Sequence, residues 1–270
     1  AKREAKLLQT LARPEKFAVA CSCEIVRRRL IESGLAPELA VVIRPGVDFA
    51  LINKCRRGSL REELGARGDD YVVIVPEPVT RTGGQFEGVW ATTLLNHLSG
   101  GIRLIIPGES REQRRIARFA GALPVSVPLV MPGSRYPFEE LLTASDALLI
   151  TPRGDISTTS IAWATAAGVA VIAAAVPPIA ELISNKLNGL LFKQTPGRSM
   201  AAAIVRFLRD RESQEKVKEA ARGWAYEVFS LHRYVEQTMR LYENVVSGAT
   251  LKVKQALPGC FVGNYTGGEA

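Results

Sequence analysis

Two short stretches combine glycine, hydroxyl and cationic side chains in a way that could hold an anion. Thr80-Arg81-Thr82-Gly83-Gly84 follows an apolar run. There Gly83 and Gly84 would let the backbone approach a phosphate closely, and Arg81 offers a bidentate cation. A plain turn accounts for the same residues. Pro152-Arg153-Gly154-Asp155-Ile156-Ser157-Thr158 follows a second apolar run and leads into a helical pattern. The unpaired N–H groups of that helix start, with the hydroxyls of Ser157, Thr158 and Thr159, could hold an anion, or the hydroxyls could simply cap the helix.

Either stretch would work only at the carboxyl end of a parallel strand, where open α/β sheets take up ligands. The rest of the chain supplies such strands. Phe17–Cys21, Ala40–Ile43, Tyr71–Val75, Ile102–Ile106, Ala147–Ile150, Val169–Ala174 and Leu190–Phe192 are short apolar runs bounded by Gly, Pro or Asp, and helical patterns lie between them. This alternation predicts an α/β fold with a parallel sheet. Phe86, Val89, Trp90, Thr93, Leu94, His97 and Leu98 recur at helical spacing, which predicts a buried face with Trp90 in the core and His97 at a helix end. After Phe192 three helical stretches follow, with Ser199 and Ser230 as expected N-caps. In the last, Leu231, Tyr234, Val235, Thr238, Leu241, Tyr242 and Val245 form a face that must be buried against something. The uncharged stretch from Ile156 to Ala180 is interrupted by Gly168 and closed by Pro177-Pro178, so a buried helix and a buried strand are expected there rather than a membrane span.

Composition narrows the classes. The 270 residues, 47% hydrophobic and 23% charged, suit a globular protein and exclude a disordered or fibrous one. A net charge of +8 fits contact with phosphate groups or an anionic membrane surface. No basic run exceeds Arg27-Arg28-Arg29, so nucleic acid is not an expected partner, whereas peripheral membrane contact stays open. Of the four cysteines, Cys21 and Cys23 form a C-x-C pair with no second pair to complete a metal site, and His97 and His232 stand alone. No metal is expected, and the thiols are expected to be reduced and structural. Ala1-Lys2-Arg3-Glu4 builds no apolar core, so the expected location is the cytoplasm. G-x-G-x-x-G, G-x-x-x-x-G-K-[ST] and G-x-S-x-G motifs are all missing.

Arg44-Pro45-Gly46-Val47-Asp48 resembles the linker motif of the family 4 glycosyltransferases, and further weak motifs follow in that family's order. They are the Gly-rich turn within Val72–Gly84, Leu104-Ile105-Ile106-Pro107-Gly108, Leu141-Leu142-Thr143-Ala144-Ser145-Asp146, Ala164–Ile172, Ile179-Ala180-Glu181-Leu182-Ile183, Asn188-Gly189-Leu190-Leu191-Phe192 and Phe229-Ser230. The resemblance covers Phe17 to Val246. It implies the GT-B architecture, two Rossmann-like domains across a cleft, with the donor nucleotide sugar held mainly by the second. Residues 1–44 would then be the incomplete end of the first, acceptor-side domain, 45–246 the donor-type domain and 247–270 a loose tail. A missing first domain, or a partner chain in its place, is a further expectation, and the last helix would cross back to that first domain.

The resemblance also implies retaining transfer of a hexose from a UDP- or GDP-sugar to an unknown acceptor, without a metal or other cofactor. Asp155 would lie nearest the sugar and Arg81 nearest the phosphates. Gly83, Gly84, Gly154, Ser157, Thr158, Thr159 and Trp163 would surround the donor. Four positions depart from the family pattern. Glu77 and Thr82 stand where members carry an Arg and a Lys that neutralise the departing diphosphate, and Asp155 and Trp163 stand where members carry two Glu residues. Glu77 would repel a diphosphate, and an indole cannot accept ribose hydrogen bonds. Asp155 as a first-turn helix carboxylate and Trp163 as a core aromatic beside Ile161 are the plainer readings of those two residues. A non-catalytic scaffold with a degenerate site is therefore the competing expectation.

Overall fold

The computed structural model describes residues 17–248 apart from 56, 69, 77, 78, 126, 152–157 and 193–197. Its strands form two separate parallel sheets. In the first, β1 (Val19–Cys21) pairs with β2 (Ala40–Val42), joined by α1 (Glu24–Glu32) and a short 3-10 turn. The second has six strands in the order β5-β4-β3-β6-β7-β8, where β3 is Tyr71–Ile74, β4 Ile102–Ile105, β5 Leu129–Val130, β6 Ala147–Ile150, β7 Ala170–Ala174 and β8 Leu190–Phe192. The chain winds outward from β3 to β5, returns to the other side of β3, and winds outward again to β8. Every pairing among these strands is parallel.

The apolar runs sit in the middle of the sheet because both of its faces are covered. Val72 and Ile74 point to one face and Val73 and Val75 to the other, as the two-residue period of a strand requires. Leu148 and Ile150 alternate with Ala147 and Leu149 in the same way. Over the first face lie α2 (Phe49–Lys54), α3 (Arg57–Glu63), α6 (Phe138–Thr143), α7 (Thr158–Ala166) and much of α10 (Arg211–Val228). Over the second lie α4 (Gln85–Ser99), α5 (Gln113–Gly121) and α9 (Arg198–Arg209). A short turn of helix, α8 (Pro177–Ala180), follows β7. Each fully buried Ile or Leu contributes about 1.5–3 kcal/mol of transfer free energy, so this two-sided burial dominates the fold.

The uncharged stretch becomes α7 and β7, both buried, and among the described residues no helix is long and apolar enough to cross a membrane. Other expectations need correction. In α4 the buried face is Gln85, Gly88, Val89, Ala91, Thr92, Thr93 and Leu95, while Trp90 is half-buried and Leu98 exposed. The helix packs its small and polar residues inward, because Gly88 lets it lie close to β3. Ser199 falls inside α9 rather than capping it, and Ser230 occupies the N-cap of α11 (Leu231–Ser247) without a side-chain bond. Of the face expected to be buried on α11, only Leu241 is; Leu231, Tyr234, Val235 and Tyr242 are each more than a third exposed. Strand β5 has no counterpart among the expected strands, being two residues long between Pro128 and Pro132.

Candidate functional site at the switch point of the sheet

The winding direction reverses between β3 and β6, which opens a crevice beyond their carboxyl ends. Both stretches singled out in the sequence begin there. Leaving β3, the chain turns through buried Gly83 and Gly84 into α4, and Gly84, at φ 88°, occupies the N-cap in the left-handed region. No side-chain bond caps the helix at this position. Gln85, itself buried, donates from Nε2 to the carbonyl of Pro76 at 3.1 Å and draws the turn back against β3. The space that a Cβ on Gly83 would need is taken by the Gln85 carboxamide, at 2.7 Å, and by Thr80 Oγ1, at 3.0 Å. Gly88 faces Val75 Cγ1 at 2.9 Å from its own ideal Cβ position, which sets the close approach of α4 to β3.

At the end of β6, Thr151 donates from Oγ1 to the carbonyl of Gly84 at 2.7 Å. This bond joins the end of β6 to the glycine turn. Beyond it, Thr158 at the start of α7 is buried, Thr159 exposed, and Trp163 half-buried against the core shared by α7 and α10. Arg81 is exposed beside the glycine turn. Gly154, Asp155 and Ser157 lie outside the described residues, as does Glu77. Arg81, Gly83 and Gly84 are thus carried on the turn into α4, Thr158 and Thr159 begin α7, and Trp163 packs, half-buried, on the core.

The next loops along the same edge of the sheet are tied to the loop after β3 and to each other. Ser110 donates to the carbonyl of Val79 at 2.8 Å, which fastens the loop after β4 to the loop after β3. Gly108 and Gly133, at φ 70° and 64°, bridge the loops after β4 and β5. Between these loops is an open cavity of about 790 Å³, lined by Glu109, Arg111, Arg114, Met131 and Pro132 among others. Two exposed guanidinium groups, Arg111 and Arg114, supply positive charge to this cavity. Spacing alone did not single out Thr151, Gln85, Gly88, Arg111 or Arg114. Only Arg111 and Arg114 carried a local signal, as cations three apart after a Pro-Gly turn.

The cysteines belong elsewhere. Cys21 ends β1 and Cys23 is the N-cap of α1; both are buried, and burial pushes the Cys21 thiol up to about 11, with Cys23 adding to the rise. Burial also raises Cys23 above the ordinary thiol value, an effect that its neighbour Glu181 reinforces and the Val26 amide and Arg44 oppose. Such thiols are poor nucleophiles and poor ligands at neutral pH. Among the described residues no group of three or more His, Cys, Asp or Glu could hold a metal ion.

A doubly wound parallel sheet, with a glycine turn and helix starts gathered at its switch point, defines a Rossmann-like ligand-binding unit. More particularly, the chain belongs to the group 1 glycosyl transferases, whose family model matches residues 57–224. Solved structures with the same fold include Anabaena HepE in complex with UDP-glucose, at 20% identity and a TM-score of 0.78 over 90% of this chain and 68% of that one. A glycosyltransferase from Rickettsia africae matches at 16% identity and a TM-score of 0.76 over 91% of this chain and 68% of that one. Sucrose-phosphate synthase from Thermosynechococcus elongatus matches at 18% and 0.73 over 86% of this chain and 59% of that one. At these identities the likeness establishes the GT-B fold. A sequence search of curated proteins finds no match.

Proposed function

We propose that this chain carries the donor half of a sugar transferase, holding a nucleotide diphosphate sugar at the switch point for retaining transfer of its hexose to an acceptor. The observation that carries this reading is the bond from Thr151 to Gly84, which fastens the end of β6 to the glycine turn at the start of α4. In this reading the diphosphate lies over Gly83 and Gly84, with Arg81 as its nearest cation. The base reaches toward the cavity of Glu109, Arg111 and Met131, and Asp155 faces the sugar. That HepE was solved with UDP and with UDP-glucose supports this ligand class.

A second reading, a scaffold that kept the fold and abandoned the chemistry, is favoured by Trp163. Its ring is packed on the core and cannot replace a ribose-binding carboxylate. With Glu77, Thr82 and Trp163 in place, UDP or GDP should bind the full chain with a dissociation constant of about a millimolar or weaker. Titration calorimetry at low salt with UDP, GDP and UDP-glucose decides between the readings. Millimolar binding weakened severalfold by Arg81→Ala, with turnover lost in Asp155→Ala, supports the transferase. No binding by the parent, but clear binding by the triple variant Glu77→Arg/Thr82→Lys/Trp163→Glu, supports the scaffold.

A further inference from the structure

Glu181, a carboxylate of the second sheet's unit, closes bonds onto the first sheet's unit. It follows α8 at the carboxyl end of β7, and its side chain is 11% exposed. Oε1 accepts from the Glu24 N–H at 2.9 Å and from Arg44 Nη2 at 2.9 Å, and Oε2 accepts from the Ile25 N–H at 3.0 Å. Glu24 and Ile25 are the first two residues of α1, whose N-cap, Cys23, makes no side-chain cap bond. A helix start normally takes its cap from the adjoining residue, and a carboxylate there also meets the positive end of the helix dipole. Here that carboxylate comes from a residue more than 150 positions away.

Beside this contact α1 packs against α8, and further ties lie where the chain crosses between the units. It leaves the first unit through Arg44–Val47 and returns through Phe229–Leu231, and these crossings run side by side. The Val47 N–H donates to the Phe229 carbonyl at 2.7 Å, and Gly46 lies so close to Tyr234 that a Cβ would meet it at 2.7 Å. After the return, α11 packs Leu241 against Val41 and Ile43 and so belongs to the first unit. Two adjacent crossings form a hinge, and a hinge alone leaves rotation free.

We propose that Glu181 is a latch that fixes the orientation of the first α/β unit against the second, by capping α1 and pairing with Arg44 across the hinge. Opening the latch exposes two amides and a guanidinium together, so it acts as a single contact with two discrete states. This inference does not depend on which ligand the crevice takes.

The test is hydrogen exchange, resolved to single amides by NMR, on the full chain and on Glu181→Ala and Glu181→Gln. All three tryptophans, Trp90, Trp163 and Trp224, lie in the second unit, so fluorescence-detected unfolding reports its integrity independently. A latch predicts exchange at Glu24 and Ile25 about tenfold faster in Glu181→Ala, with the β3 to β7 amides still protected. Glu181→Gln, which keeps one acceptor oxygen, should fall between parent and Ala. Small-angle scattering should show a broader distance distribution for Glu181→Ala. Unchanged exchange at Glu24 and Ile25, or a uniform rise throughout the second unit in both variants, would overturn the proposal.

Discussion

Gly88 and Gly223 are both helical glycines, yet the structure asks opposite things of them. Gly88 faces the side chain of Val75 across the contact between α4 and β3, within 2.9 Å of where a Cβ would stand. Adding a methyl there must push α4 away from the sheet, so Gly88→Ala should destabilise by about 1–3 kcal/mol, and thermal unfolding should occur several degrees lower. Because α4 carries the glycine turn, the same change should weaken any ligand held at the crevice. Gly223 sits on the exposed side of α10 with nothing within 4 Å of its Cβ position. There the methyl only restricts the unfolded chain and improves helix propensity, so Gly223→Ala should stabilise by about 0.5–1 kcal/mol. Differential scanning calorimetry of the two variants checks both signs. Equal effects would show that α4 does not rest on β3 as described.

At the level of elements, charge ties the amino ends of β3, β4 and β6 together. Arg61 bonds Asp146 at 2.9 Å and Asp146 accepts from the Val72 N–H at 2.8 Å, which locks the entries of β3 and β6. Asp70, just before β3, accepts from the Arg67 N–H at 2.9 Å and from Arg103 Nη2 on β4 at 3.0 Å. Burial alone would raise the Asp70 carboxyl, but the Arg67 amide and Arg103 overcome it and hold the group below the usual carboxylate range. Since its folded value is the lower one, the unfolded chain binds the proton more readily. The stabilisation is therefore complete above the unfolded value of about 3.9 and is lost as pH falls through the folded value. Asp70→Asn should cost about 1–3 kcal/mol at neutral pH and flatten the acid limb of stability below about pH 4. Urea unfolding between pH 2 and 7 measures this, and a parallel acid limb in the variant would remove Asp70 from the account.

For the whole molecule, the notable feature is α11, which is only half used. Leu241 is buried against Val41 and Ile43, while Leu231, Val235, Met239, Tyr242 and Val246 form an adjoining exposed stripe, with Val246 89% exposed. Leu241→Ala should cost about 2–5 kcal/mol in the contact between α11 and the first sheet. Val246→Asp should change stability by less than about 0.5 kcal/mol. Chemical denaturation monitored by circular dichroism separates the two. A large loss in Val246→Asp would mean that the stripe is covered in solution.

Strand positions, the α/β class, the glycine turn at Gly83-Gly84 and the helix start near Thr158 were legible because each follows from local periodicity or backbone freedom. Seven strands could be placed from short apolar runs, whereas β5 could not, since two residues between prolines carry no period. Family membership was legible for a related reason: weak motifs in fixed order survive even where charged residues change. What no local pattern encodes is which distant groups meet. Thr151 reaches Gly84 only because the sheet order brings β6 beside β3, and Glu181 caps α1 only because two units pack across a hinge. The face of α11 looked fully committed in sequence, because amphipathic spacing records which side is apolar and not how much partner surface there is to cover it. How far each side chain is buried, Trp163 included, was decided by tertiary structure, since the same side chain at the same helical position can pack or face a ligand.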